Sequence, residues 1–364
     1  MTATGLSQTV RQARVTISAV ASPFARYASR RRFRRDGGWG SIISWADRMH
    51  ILTSLLILVL CASCASADRI TAERLSGNPI LTPASSATLG ENINGPSLVR
   101  VPGWVRNPLG RYYLYFAHHA GKHIRLAYAD QLSGPWRVFE PGALQLSAAP
   151  SCYDHIASPD VHVDPKTKQI LMYFHCPAGA ARGTDIGQQK TFLARSADGI
   201  KFTPENEPLG PAYFRVFKWR GHSYSVVRGG LVLRSADMAK PFETGPSLFP
   251  SIPGVLLRHA AVDLRGDKLY VYYSRIGDTP ERILVSTVNL SPDWMTWRGS
   301  EPQTVLTPTA PYEGVDRPIE TSRPDEAQDV HQVRDPAIYR EDKRTYLLYS
   351  IAGESGIAIA ELRY

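Results

Sequence analysis

Five times along this chain a short polar stretch leads into a strand-like run, a turn and a second apolar strand. The clearest copy is SCYDHIASPDVHVDPKTKQILMYFHC, from Ser151 to Cys176. In it Val161 and Val163 alternate with His162 and Asp164, the period of two that a half-buried strand shows. Asp164-Pro165-Lys166-Thr167 supplies turn chemistry before the apolar run from Ile170 to Phe174. The unit recurs as Asn94 to Val101 with Tyr112 to His119, Gly210 to Gly221 with His222 to Val227, Arg258 to Lys268 with Leu269 to Arg275, and Arg334 to Arg344 with Thr345 to Ile351. A third strand trails each pair, at Ile124, Phe192, Leu231, Arg282 and Gly356. Repeated sheets at a spacing of roughly 50 to 75 residues suit an all-β fold, a five-bladed β-propeller with long connections. A β-sandwich with as many strands is the competing arrangement.

The first 67 residues look unlike the rest. Residues 1–48 are arginine-rich and carry SRRRFRR, from Ser29 to Arg35, while residues 49–67 hold the apolar core ILTSLLILVLCA followed by small residues. That core is short for a bilayer span and reads as a secretory signal, which makes an exported protein, periplasmic or lipid-anchored, the expectation. Two exits are open: signal peptidase cleavage after Ala65-Ser66-Ala67, or lipidation of Cys64 within Cys61-Ala62-Ser63-Cys64. SRRRFRR resembles a twin-arginine signal but lies well upstream of the apolar core; alternatively, translation starts at Met49 and residues 1–48 are a mis-assigned start. Residues 68–364, without a Gly/Ser linker, are expected to form one propeller domain.

Setting the leader aside changes the meaning of the net charge. It holds nine arginines and two aspartates, which leaves 33 basic and 31 acidic residues from position 68 onward. A domain so balanced lacks the concentrated basic face that nucleic acid requires. Two of the four cysteines sit in the leader; Cys152 and Cys176, at the two ends of the repeated unit, either pair as a disulfide or stay as buried thiols. Asn78 to Pro83, NPILTP, is placed to add an outer strand to the last blade and close the ring. The long irregular stretch from Thr307 to Val333 is rich in proline and acids, and a loop of that length in a compact domain is usually functional or disordered.

The strand start Arg334-Asp335-Pro336-Ala337-Ile338 and the strand tail Ser196-Ala197-Asp198-Gly199-Ile200-Lys201-Phe202 resemble the blade motifs of five-bladed propeller glycosidases of the glycoside hydrolase family 43 type. The likeness spans most of residues 68–364 as a pattern. It implies hydrolysis of glycans built from arabinose, xylose or fructose units, at a central funnel where three carboxylates act as base, acid and modulator of the acid. This chain departs from that scheme. Gly95 precedes Pro96 where the family's first blade carries its aspartate, and Leu209-Gly210-Pro211 stands where the acid would be, with Glu207 displaced.

Glycoside cleavage uses two carboxyls flanking the bond, roughly 5 to 9.5 Å apart depending on stereochemistry. The carboxylates expected to carry it are Asp160 and Asp335, at blade starts that the ring would bring together, with Glu313 of the long loop as a possible acid and Asp316 as a further candidate. Ion pairing of Asp335 with Arg334, and a turn-capping role for Asp154, are the structural alternatives. Asn94, His118, Asp154, His155, Arg215, Arg258, His259 and Arg334 are expected to bind substrate hydroxyls or acids, since they too fall near strand starts and ends. Trp104, Tyr153, Phe214 and Tyr312 are candidates for stacking on sugar rings. No spacing of His, Cys or Asp matches a compact metal signature, and no cofactor is expected. A non-catalytic propeller that binds glycan or protein is the alternative to an enzyme. A monomer is expected, with membrane contact only through lipid on Cys64.

Overall fold

The protein, a computed structural model, is described over residues 69–178, 189–249, 256–324 and 327–364. The readings of residues 1–48 and 49–67, and of Cys64, lie outside the described residues. The described chain is a ring of five antiparallel sheets. Blade 1 holds β2 (Asn94–Arg100), β3 (Tyr112–Ala117), β4 (His123–Ala129) and β5 (Arg137–Gln145). Blade 2 holds β6 (Ala157–Asp164), β7 (Gln169–Pro177), β8 (Gln189–Ser196) and the short β9 (Thr203–Pro204) and β10 (Gly210–Pro211). Blade 3 holds β11 (Arg215–Trp219), β12 (His222–Val226), β13 (Leu231–Ser235) and β14 (Glu243–Ser247). Blade 4 holds β15 (Leu256–Arg265), β16 (Lys268–Ile276), β17 (Ile283–Asn289) and β18 (Gln303–Leu306). Blade 5 holds β19 (Arg334–Glu341), β20 (Arg344–Ser350), β21 (Ile357–Arg363) and, as its outermost strand, β1 (Thr71–Arg74) from the other end of the chain.

The middle strands read as unbroken apolar runs because both of their faces are covered. In β3, Tyr113 and Tyr115 point into the seam with blade 2, whereas Tyr112, Leu114 and Phe116 point into the seam with blade 5. In β7, Ile170, Met172, Phe174 and Cys176 face blade 1 while Leu171 and Tyr173 face blade 3. The same division splits β20, with Tyr346 and Leu348 toward blade 1 and Leu347 and Tyr349 toward blade 4. Five apolar clusters fill five seams, so the sheets close into a ring instead of stacking as two layers. Each large apolar side chain fully buried there contributes about 1.5–3 kcal/mol.

Closure differs from the expectation in one respect. The strand that completes blade 5 is Thr71–Arg74, paired with Ala360 to Arg363, whereas Leu81 makes only a single bridge to Ile357. Two prolines explain why the NPILTP segment stays irregular: neither Pro79 nor Pro83 can donate to a ladder. Asn78 substitutes for a strand pair with its side chain, donating to the Ile359 carbonyl at 2.7 Å and accepting from the Ile359 amide at 2.9 Å. Cys152 and Cys176 form a disulfide that ties the approach to β6 to the end of β7.

The candidate active site at the ring axis

A cavity of about 360 Å³ opens where the innermost strands β2, β6, β15 and β19 and the approach to β11 converge. Its polar lining includes Asn94, Asp154, His155, Ser158, Tyr213, Arg228, Arg258, His259, Asp335 and Glu354. Three of the innermost strands begin with the same corner: Gly95-Pro96, Ser158-Pro159 and Asp335-Pro336, with φ of 58°, 47° and 51° at the residue before proline. At each corner the strand's register shifts against its neighbour, so that the residue at the bulge is turned out of the ladder. In β15 the equivalent shift, between Leu257 and Ala260, presents Arg258 and His259. A non-glycine residue at positive φ costs on the order of 1–3 kcal/mol, and such costs cluster at functional sites.

Asp335 is the charged centre. It is 1% exposed; Oδ1 is bonded to Nδ1 of His259, and the Ser350 hydroxyl donates to Oδ2 at 3.3 Å. Burial opposes its ionisation, but His259, Arg334 and Arg258 outweigh that and hold it well below the usual carboxylate range. His259 goes the other way: burial lowers its pKa more than Asp335 can raise it, and Arg215 and Arg258 add to the lowering. At neutral pH the pair is therefore a carboxylate and a neutral imidazole. The Tyr213 ring sits 4.2 Å, centroid to centroid, from both His259 and His175. Burial also depresses His175 far below the ordinary histidine value, with His155, His259 and Arg215 adding to it.

Beneath this layer lies an ionic frame. Glu281, fully buried, joins Arg258 at 2.9 Å and Arg334 at 3.0 Å, and Arg334 reaches Glu354 at 3.2 Å. Glu354 also accepts from the side-chain amides of Asn92 and Asn94 at 2.7 and 2.8 Å. Arg258 donates further to the Ser322 hydroxyl and the Pro324 carbonyl, so the long loop, which contributes Pro324 to the cavity wall, is folded onto the site. No group of three or more His, Cys, Asp or Glu side chains among the described residues is placed to share a metal ion.

Of the expected site residues, the ring brings together Asn94, Asp154, His155, Arg258, His259 and Asp335. Asp154 stands at the rim, its side chain 53% exposed beside Lys122 and His155. Several others lie elsewhere. Asp160 does not line the cavity: its carboxylate accepts from the Val216 amide at 2.8 Å and contacts His162 at 2.8 Å, stitching blade 2 to blade 3. The bulge is the reason: the register shift between Ala157 and Asp160 breaks the period-two relation to Ser158, and Asp160 returns to the ladder facing blade 3. Glu313 is fully buried at the closure of the ring, bound by Arg74, the Tyr349 hydroxyl and the amides of Thr309 and Ala310. Arg215 and Arg334 are buried behind the cavity wall, and His118 accepts from the Ala120 amide outside the lining. Phe214 belongs to the seam between blades 2 and 3, Tyr312 packs against the seam between blades 4 and 5, and Trp104 and Tyr153 are likewise not in the lining. The aromatic that faces the axis is Tyr213, one position earlier.

No family model matches the chain. An uncharacterized protein of Acanthamoeba polyphaga mimivirus is 35% identical over 347 residues, 86% of this chain and 96% of that protein. Two solved structures share the fold at low identity. A glycoside hydrolase family 130 protein, from work on mannoside phosphorylases and hydrolases that target β-1,2 mannosidic linkages in Candida mannan, superposes with a TM-score of 0.59 at 12% identity, covering 81% of this chain and 94% of that one. A family 43 β-xylosidase/α-arabinofuranosidase from a compost microbial metagenome, in complex with xylotriose, gives 0.53 at 14% identity, covering 81% and 96%. The five-bladed propeller implied by the family 43 resemblance is thus the fold observed, and the chain belongs to the same protein family as the uncharacterized mimivirus protein.

Proposed function

We propose that this chain is an exported hydrolase acting on a glycan, with the sugar seated in the axial cavity against Asp335. The observation that carries the reading is an ionised, buried carboxylate on the floor of a cavity at the axis of a propeller, surrounded by hydrogen-bonding groups suited to hydroxyls. Most of the structural neighbours are glycoside hydrolases, one of them solved with xylotriose, which supports a carbohydrate as substrate; a sugar of the arabinose, xylose or fructose kind is our narrower proposal. In glycoside cleavage Asp335 supplies the base and Asp154, at the rim, is the other carboxyl facing the cavity that is not locked into the ionic frame. Export is supported by the apolar segment at 49–67 and by the Cys152–Cys176 disulfide, a bond that persists in oxidising compartments.

The test is a screen of the purified protein against aryl glycosides and polysaccharides, with Asp335→Asn as control. Turnover that requires Asp335 supports the reading. A variant as active as the parent removes Asp335 from the mechanism, and no binding of any carbohydrate removes the function itself.

A further inference from the structure

On the same reading of the cavity as a carbohydrate site, a second reaction is available there, on a bond other than the glycosidic one. We infer that Ser158, His259 and Asp335 form a nucleophilic relay that hydrolyses an acyl ester carried by the bound sugar. The Ser158 hydroxyl lies 3.4 Å from Nε2 of His259, and Nδ1 of the same ring is bonded to Oδ1 of Asp335. The three residues come from β6, β15 and β19, separated by 101 and 76 positions, so no local turn forces them into line. Hydroxyl, Nε2, Nδ1, carboxylate is the order of contacts by which a serine is activated.

Each member is prepared for its part. An ionised Asp335 accepts only, so Nδ1 carries the imidazole proton and the Nε2 lone pair faces the serine. Tyr213 braces the His259 ring from the side. Ser158 sits on the left-handed corner that turns its side chain out of the β6 ladder and onto the cavity surface. Across from it stands Gly95, whose missing Cβ would lie 3.6 Å from the Ser158 hydroxyl. Pro159 follows the serine and has no amide to offer an oxyanion, which leaves that part to other donors. Arg228 and His175 line the same cavity, and Nδ1 of His175 is buried without a hydrogen-bond partner.

The reaction balances without a further reagent. Ser158 Oγ bonds to the acyl carbonyl carbon while its proton passes to Nε2 of His259. Collapse of the tetrahedral adduct breaks the bond to the sugar oxygen, which leaves with that proton, and an acyl-Ser158 remains. Water then adds to the acyl carbon, giving a proton to His259; the bond to Ser158 breaks, the serine takes the proton back, and a carboxylic acid is released.

The experiment uses the purified protein with three probes: a fluorophosphonate, p-nitrophenyl acetate and acetylated xylan. Covalent label on the peptide containing Ser158, together with acetate release that falls roughly 10³-fold in Ser158→Ala, supports the relay. Thermal unfolding of Ser158→Ala is measured alongside; should that variant fail to fold, the site of labelling in the parent protein decides. No label and no acetate release by the parent protein, or acetate release unchanged in Ser158→Ala, overturns it. Binding of deacetylated xylo-oligosaccharide, followed calorimetrically, separates the two claims: binding without acetate release sinks the relay alone, and acetate release without such binding sinks the carbohydrate reading alone.

Discussion

Asp335 and Glu313 are two carboxylates with almost no exposed surface, both tied to blade 5, yet they do opposite things. Glu313 receives five hydrogen bonds, two from Arg74 and one each from Tyr349, Thr309 and Ala310, and does not line the axial cavity. Asp335 is bonded to one imidazole and one hydroxyl, and it forms part of a cavity wall. Burial and charge are common to both. The two differ in whether the side chain's hydrogen-bonding capacity is used up inside the protein and whether a ligand can reach the group that shares its charge.

Substitution tests that contrast directly. On the proposed function, Asp335→Asn is expected to lower turnover on a substrate found in the screen by roughly 10³-fold or more, because an amide there can neither act as a base nor hold the His259 tautomer; steady-state rates on the purified variant check this. Glu313→Gln is expected to leave turnover per folded molecule unchanged and to lower stability by about 3 kcal/mol, as breaking a buried ion pair does, read by urea unfolding. Comparable losses of turnover in both variants would break the comparison. Removing both Cys152 and Cys176 is expected to cost about 3 kcal/mol, since the bridge closes a loop of 24 residues, measured against the parent under non-reducing conditions. Asp160→Asn is expected to cost about 1–3 kcal/mol through its buried bond to the Val216 amide, with little change in turnover.

A smaller and more gradual effect comes from pH. Burial lowers His155, His175 and His259 below the ordinary histidine value. Below about pH 6.5 the unfolded chain therefore takes up protons that the folded ring refuses, so stability is full above that pH and declines as pH falls. Asp335, held low, adds stability that is present above about pH 4 and is lost only as pH falls further, through its folded value. Thermal unfolding between pH 7.5 and 5.5 checks the histidine part: the slope should flatten in His175→Asn, and an unchanged slope would remove His175 from the account.

The ring itself was legible because each blade repeats a strand, a turn and an apolar run, and because runs such as Tyr112 to Ala117 are apolar at every position, which a strand covered on both faces requires. Asp335 is marked in the sequence as the aspartate standing directly before a proline at a blade start, and it lines the axial cavity. Ser158 carries the same mark, a residue before proline at the head of an innermost strand, whereas the acidic Asp160 two positions later lies in the seam with blade 3. Aligning the corners on proline instead of on charge would have put Ser158, Gly95 and Asp335 in register. Glu354, from the turn after β20, and Tyr213, ahead of β11, had no such marker. Their positions depend on how five sheets are tilted about an axis, and no stretch of local sequence encodes that.

The pairing of Thr71–Arg74 with the final strand has a consequence for how the molecule is made. Among the described strands Thr71–Arg74 is made first and its partner β21 last, so in order of synthesis it stays unmatched until β21 has left the exit tunnel. The circle is thus fastened only once β21 is made, and losing that strand would also deprive the distant Thr71–Arg74 of its place.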